Sequence, residues 1–580
     1  MTAARLFFAW CAFFSSAIFV SAKGGAVMQA DVVFIGPIVT MDENHPKAGA
    51  IAVRAGRIVA LGSESEILAT VGPGVRRVHL PGTAVPGLAD AHIHVSEFGH
   101  QLEELDLRGL AKQEIIRRVA QRAKELPAGA WIEGRGWDQG FWNPASFPTA
   151  ADLDVASPAH PAILTRIDGH SIWVNSIALR AARIGHDTAD PKGGRLMRLP
   201  DGTPSGVLVD AAVGLIMKVI PESTHDQLLQ RLDSALHRCV QMGLTSIHDA
   251  GVDLEEIALY KELLAQGRLP LRAYVMALGT GNTAAEMLRH APEPPLGNDR
   301  LSIRSFKVFL DGALGSRGAE LLKPYSDAPN EDGLELMNDA DFRALVKSAA
   351  ERGYQVNAHA IGDKAVRRAL DGFEQAGGSG LSAKRFRVEH ASVVDPSDLA
   401  RFARLHVIVS TQPIFVGEYS RWAQDRLGPV RTGYVLPVAD LLKSGAVVAS
   451  GTDFPASDSP NPILSLYSMV TRKGADGIPI GGWHPEQCVD VMTALRAMTW
   501  APAFAAFQEQ DLGVLTVGRL ADLTVLSADP RETTPEKLKD LSVTMTIVGG
   551  IPVYEAKPSG ASGPNPHITN QKEMLCRAGF

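Results

Sequence analysis

Apolar residues along this chain fall into two textures. Near both ends they alternate with polar ones over short spans broken by Gly and Pro: DVVFIGPIVTMD, AIAVRAGRIVALG and RRVHLPGTAVPG on one side, DLGVLTVGRLADLTVLSADP (511–530) and SVTMTIVGGIPVYE (542–555) on the other. Period-two alternation with this punctuation predicts half-buried strands. The shared texture predicts one small composite β-sandwich assembled from residues 27–83 and 509–556. Between the ends, apolar runs of strand length alternate with helical stretches such as DFRALVKSAAERG. The runs are AVPGLADAHIH (84–94), LTSIHDAG (244–251), LRAYVMAL (271–278), SIRSFKVFLDG (302–312), YQVNAHAIGD (354–363), RFRVEHAS (385–392), HVIVSTQP (406–413) and AVVASGTDFP (446–455). Eight such repeats predict an α/β fold, a (β/α)8 barrel spanning residues 84–508. The excursion after the first run, about residues 100–240, is too long for a barrel crossover and predicts an inserted cap over the mouth.

The termini read differently. Arg5 is followed by an apolar run from Leu6 to Val20 and then the small residues Ser21 and Ala22. The run is short for a membrane span and fits a secretory signal cleaved after Ala22, so the expected location is exported, periplasmic or secreted, with no stable membrane insertion after cleavage. The tail from Lys557, rich in Gly, Ser, Pro and Asn, is expected to be loosely ordered. Removing the signal leaves Cys239, Cys488 and Cys576, scattered and without Cys-x-x-Cys spacing, which reads as buried or free thiols and at most one disulfide. The 580 residues carry 45% hydrophobic and 21% charged residues and a net charge of −7, a globular composition without the basic excess of a nucleic-acid binder.

Barrel active sites lie at the C-terminal ends of the strands. There the first run offers His92 and His94, which share one face of a strand. The fourth offers Lys307, the fifth His359, the sixth His390 and the eighth Asp453. Alone, each has an ordinary explanation: Lys307 as a salt-bridged structural residue, His390 as a satisfied core histidine, Asp453 as a turn or cap. Six potential ligands at corresponding positions of five strands point instead to a metal centre, with imidazole and carboxylate donors that suit zinc.

The blocks PGLADAHIH, FKVFLDGALGSRGA, NAHAIGD, RVEHA, SGTDFP and GRLADLTVL resemble the amidohydrolase superfamily. The blocks WIEGRGWD, DGHSIWVNS and DGALGSRGA look most like its YtcJ-like, N-substituted formamide deformylase branch, amidohydrolase family 3. The resemblance implies two divalent metal ions, zinc by preference, one held by His92, His94 and Asp453 and the other by His359 and His390. Lys307 would bridge them as an N6-carboxylysine. It further implies hydrolysis of a non-peptide C–N bond in a small N-acyl or N-formyl amine by a metal-bridged hydroxide, with Asp453 as general base and acid. A lactone, ester or cyclic-amide hydrolase using the same site, and a non-catalytic periplasmic binding or regulatory protein, are the alternatives; a homodimer is left open. Deaminases of the superfamily often lack the bridging lysine, so Lys307 argues against them.

For substrate, the excursion concentrates Trp131, Trp137, Phe141, Trp142, His170 and Trp173 in a chain only 6% aromatic. That suits an apolar amine, or else the cap's own core. Trp137, His170 and Arg317 are the candidate substrate contacts. The stretch DGALGSRG follows a strand but is not GxGxxG, so no dinucleotide site is expected. His248 is read as pocket lining or core.

Overall fold

The computed structural model describes residues 28–557 apart from 168 and 379. The expected signal sequence and nearly all of the expected loose tail lie outside the described residues. Each of the eight apolar runs contains a barrel strand: β1 (Leu88–Ile93), β2 (Leu244–Val252), β3 (Arg272–Leu278), β4 (Leu301–Phe309), β5 (Gln355–Ala360), β6 (Arg387–His390), β7 (Ile408–Thr411) and β8 (Val448–Ser450). They pair in parallel in chain order, so that β1 and β8 are the ends of the sheet path. Strands covered on both faces need no polar alternation, which is why these stretches read as continuous apolar runs. The barrel closes at the mouth, where the Asp453 N–H donates to His92 O at 2.7 Å and the His94 N–H to Phe454 O at 2.9 Å. The β8 side approaches closely enough that a Cβ on Gly451 would meet His92 N at 2.5 Å, so only glycine fits there.

Both ends of the chain build one further eight-stranded sheet, joined where Thr83–Pro86 runs antiparallel to Leu523–Leu526. Val32, Phe34, Ile51 and Val53 from one end cluster with Leu523, Val525, Met545 and Ile547 from the other. The first apolar run, expected as a single strand from residue 84, divides at Gly87. Its first half belongs to the accessory sheet and its second half is β1. The reason is local: the Gly87 N–H donates to Asp522 O at 2.9 Å, and a Cβ there would lie 2.0 Å from Thr245 Oγ1.

The excursion leaves the barrel through α1 (Val95–Glu103) and returns through the helix His225–Gln241, which packs against α1. Between them lies a six-stranded sheet from Leu105–Asp106 to Pro204–Asp210, with its own core around Leu107, Ile115, Val119, Leu153 and Leu164. Among the described residues no helix is long and apolar enough to cross a membrane.

Candidate metal centre

At the C-terminal ends of the barrel strands the six expected side chains meet. His92 Nε2 and His94 Nε2 lie 3.4 and 3.2 Å from Asp453 Oδ1, and these three residues can bring one donor atom each within 4.8 Å of the others. The His390 ring lies tilted against His92 and edge-on to His359, with centroids 4.8 and 4.3 Å away. Lys307 Nζ reaches His92 Nε2 at 3.4 Å. His390 and Asp453 both hold positive φ angles, 72° and 59°, a conformation costly for non-glycine residues and concentrated at functional sites.

Hydrogen bonds aim the imidazoles. Fully buried Glu389 accepts from His92 Nδ1 at 2.6 Å, leaving Nε2 to face the centre. Arg387 holds Glu389 at 2.9 Å and is itself 3.0 Å from His248 Nδ1, which places His248 in the barrel interior behind the centre. Gln412 Oε1 fixes His390 Nδ1 at 2.9 Å. Asp90 accepts from the Thr452 hydroxyl at 2.6 Å and from the backbone N–H groups of His92 and Thr452 at 3.0 and 2.9 Å, tying β1 to β8. Asp311 accepts from the backbone of Glu320, Ile361 and Gly362. Sequence reasoning passed over these supports, although Asp90 and Glu389 stand in otherwise apolar strand runs. A buried acid in such a run must have a partner.

The electrostatics favour metal ligation. Burial, reinforced by Lys307 in one case and by His390 in the other, pushes His92 and His359 well below the ordinary imidazole range. Neutral imidazoles are the ligating form. Burial opposes ionisation of Asp453, yet electrostatic attraction to the neighbouring His390 and the His94 hydrogen bond hold it below the usual carboxylate range, while burial pushes His390 itself down. Lys307 is fully buried and forms no ion pair at contact distance among the described residues. Burial lowers it to about 8 against the pull of Glu389 and Asp453. The buried Nε2 atoms of His359 and His390 have no hydrogen-bond partner. An unpartnered buried acceptor is costly, and a metal ion at each would remove that cost; the donor set fits a divalent ion with nitrogen and oxygen preference.

The centre opens into a cavity of about 310 Å³. Its remaining walls include Phe309, Leu314, Ile361, Phe415, Glu418, Tyr419 and Trp422, the last three on α2 (Val416–Arg431). The three expected substrate contacts are elsewhere. Trp137 is fully buried in the cap core, its ring 6.0 Å from Trp142 and 6.1 Å from Trp173, and its indole N–H donates to Leu164 O. His170 sits at the exposed end of the cap beside Asp210, 3.0 Å away. Arg317 pairs with Asp327 at 3.0 Å. Trp137, Trp142 and Trp173 thus pack the cap core, whereas Phe141 is exposed, and apart from Phe309 the aromatic wall of the cavity comes from the segment after β7.

Comparison with known proteins agrees with this architecture. The sequence profile described as "Amidohydrolase family" matches residues 82–554. Curated proteins similar to the chain include Protein LONG AFTER FAR-RED 3 of Arabidopsis thaliana, 33% identical and covering 90% of each chain. Putative amidohydrolase YtcJ of Bacillus subtilis is 32% identical, over 90% of this chain and 98% of its own. N-substituted formamide deformylase of Arthrobacter pascens is 26% identical, over 89% and 96%. The crystal structure of an uncharacterized metal-dependent hydrolase from Pyrococcus horikoshii superimposes with a TM-score of 0.73 at 27% identity, covering 87% of this chain and 99% of that one.

Proposed function

We propose, from the premise that the chain belongs to the amidohydrolase family, that it is a metal-dependent hydrolase cleaving the C–N bond of a small N-acyl or N-formyl amine. The observation that carries this reading is the convergence of four imidazoles, one carboxylate and one buried lysine at a single barrel mouth, with two imidazole nitrogens left without hydrogen bonds. His92, His94 and Asp453 would hold one divalent ion, zinc by donor type, and His359 and His390 a second. When bound, such ions polarise a carbonyl and lower the pKa of a water to about 7.

The chain's own groups do the rest. Burial drives Lys307 toward a neutral amine, whose free electron pair can form an N–C bond to carbon dioxide with loss of a proton. The resulting carbamate is an anionic oxygen donor where an ammonium would repel a cation. Asp453, hydrogen-bonded to His94, is placed to take a proton from water and return it to the leaving nitrogen. Glu389 and Gln412 keep His92 and His390 in one tautomer and orientation. The apolar walls of Leu314, Ile361 and Phe309 exclude water and accept an acyl or amine substituent. The 26% identity to a formamide deformylase supports the choice of bond.

The test is a panel of N-formyl and N-acyl amines alongside lactones and esters. Amide turnover that a chelator abolishes and zinc restores is the expected result. Turnover confined to lactones or esters would reassign the bond, and no turnover by metal-replete protein would favour a binding or regulatory role.

A further inference from the structure

The cavity has one charged side chain that the centre does not use. Phe415, Glu418, Tyr419 and Trp422 recur at the i, i+3, i+4, i+7 spacing that puts residues on one helical face, and all four line the cavity. Phe415 and Tyr419 stack at 5.5 Å with rings 12° apart, and Tyr419 meets Trp422 edge-on at 5.1 Å. Glu418 is reachable by solvent, yet among the described residues it makes no ion pair at contact distance. The cation nearest in sequence, Arg421, is paired with Asp476 at 2.8 Å. Desolvation by the cavity wall and the neighbouring Asp458 carboxylate push Glu418 up to about 7, against the charge of Arg421 and a hydrogen bond from the Trp422 side chain. An exposed carboxylate on the cavity wall without an ion pair is available to a bound cation, which the neighbouring aromatic rings also attract.

Resting on the reading of this cavity as an amide-hydrolysing site, we propose that Glu418, with Phe415, Tyr419 and Trp422, forms a subsite for a positively charged amino group. The substrate class is then a small amide that also bears an ammonium, such as a mono-acylated or mono-formylated diamine. The cavity, at the small end of the usual ligand range of roughly 300–1,000 Å³, suits a compact molecule. Its acyl end would lie among the strand-end residues and its ammonium against Glu418.

The test uses the metal-loaded enzyme at pH 8, where Glu418 is ionised, and titrates it with n-butylammonium and with neutral n-butanol by calorimetry. Wild type should bind the ammonium roughly tenfold or more tightly than the alcohol, as a charge-assisted contact requires. Glu418→Gln, near-isosteric, should erase that preference. Wild type binding both probes equally, or Glu418→Gln keeping the preference, overturns the subsite. The panel of amides separates the two readings. Ammonium binding without amide turnover refutes the hydrolytic assignment alone, whereas turnover of neutral and ammonium-bearing amides at equal kcat/KM refutes the subsite alone.

Discussion

The cap core and the barrel mouth are both packed with large polar-tipped side chains, but they differ in whether those tips are satisfied. In the cap, Trp137, Trp142 and Trp173 each donate an indole N–H to a backbone carbonyl, of Leu164, Leu110 and Thr149, at 2.7, 3.0 and 2.8 Å. None of these three indole N–H groups is left over. At the mouth, His359 Nε2 and His390 Nε2 are buried without a hydrogen bond, the former 3.6 Å from Asp311 Oδ1, and Lys307 is buried without an anion at contact distance. A region whose hydrogen bonds are complete is built for its own stability, whereas one with aimed, unpaired donors and acceptors is completed by something bound.

The contrast can be broken in four places. Asp453→Asn should lower kcat by about 10²–10⁴-fold, the range for loss of acid–base help, while leaving the unfolding transition nearly in place. An activity loss that merely tracked lost stability would erase the distinction. Trp137→Ala should do the reverse, costing about 3–5 kcal/mol in denaturant unfolding with the metal content of the folded fraction unchanged. A variant with normal stability and a raised KM would restore Trp137 as a substrate contact. Gln412→Leu frees His390 Nδ1, and chelator competition should show metal affinity reduced about 10–100-fold; unchanged affinity would mean the hydrogen bond does not orient the ring. The smallest effect is expected from His359→Leu in the metal-free protein. His359 Nε2 makes no hydrogen bond and only a long 3.6 Å contact with Asp311, so replacing the imidazole by an apolar group of similar size should alter stability by less than about 1 kcal/mol, or raise it. A large loss would show that the contact with Asp311 is structural.

The sequence is informative where chemistry and period coincide. Barrel strands are continuous apolar runs, and a histidine, lysine or aspartate at the end of such a run is conspicuous, so all six strand-end residues could be found by position. Pro86 and Gly87 mark where the chain leaves the β-sandwich, but the cause of the split could not be read, because it is the Thr245 side chain, 158 positions away in the chain and meeting Gly87 only in the fold. The aromatic wall was hidden for a similar reason. Trp137 and Trp422 are the same residue type at comparable local density, and only tertiary packing turns one toward a core and the other toward a cavity. Glu389 shows an intermediate case. Its place in the apolar run RVEHA marks it as a buried acid needing a partner, but that His92 is that partner depends on β6 and β1 facing one another across the barrel.

The claim that the mouth is completed by a two-metal centre through Lys307 is tested most directly by counting metal. Protein loaded with zinc and bicarbonate, then freed of weakly held ions, should retain about two ions per chain by elemental analysis, the number that such a paired site holds. Lys307→Ala should retain fewer. Less than one ion per chain in the wild type, or the same count in Lys307→Ala, would contradict the account.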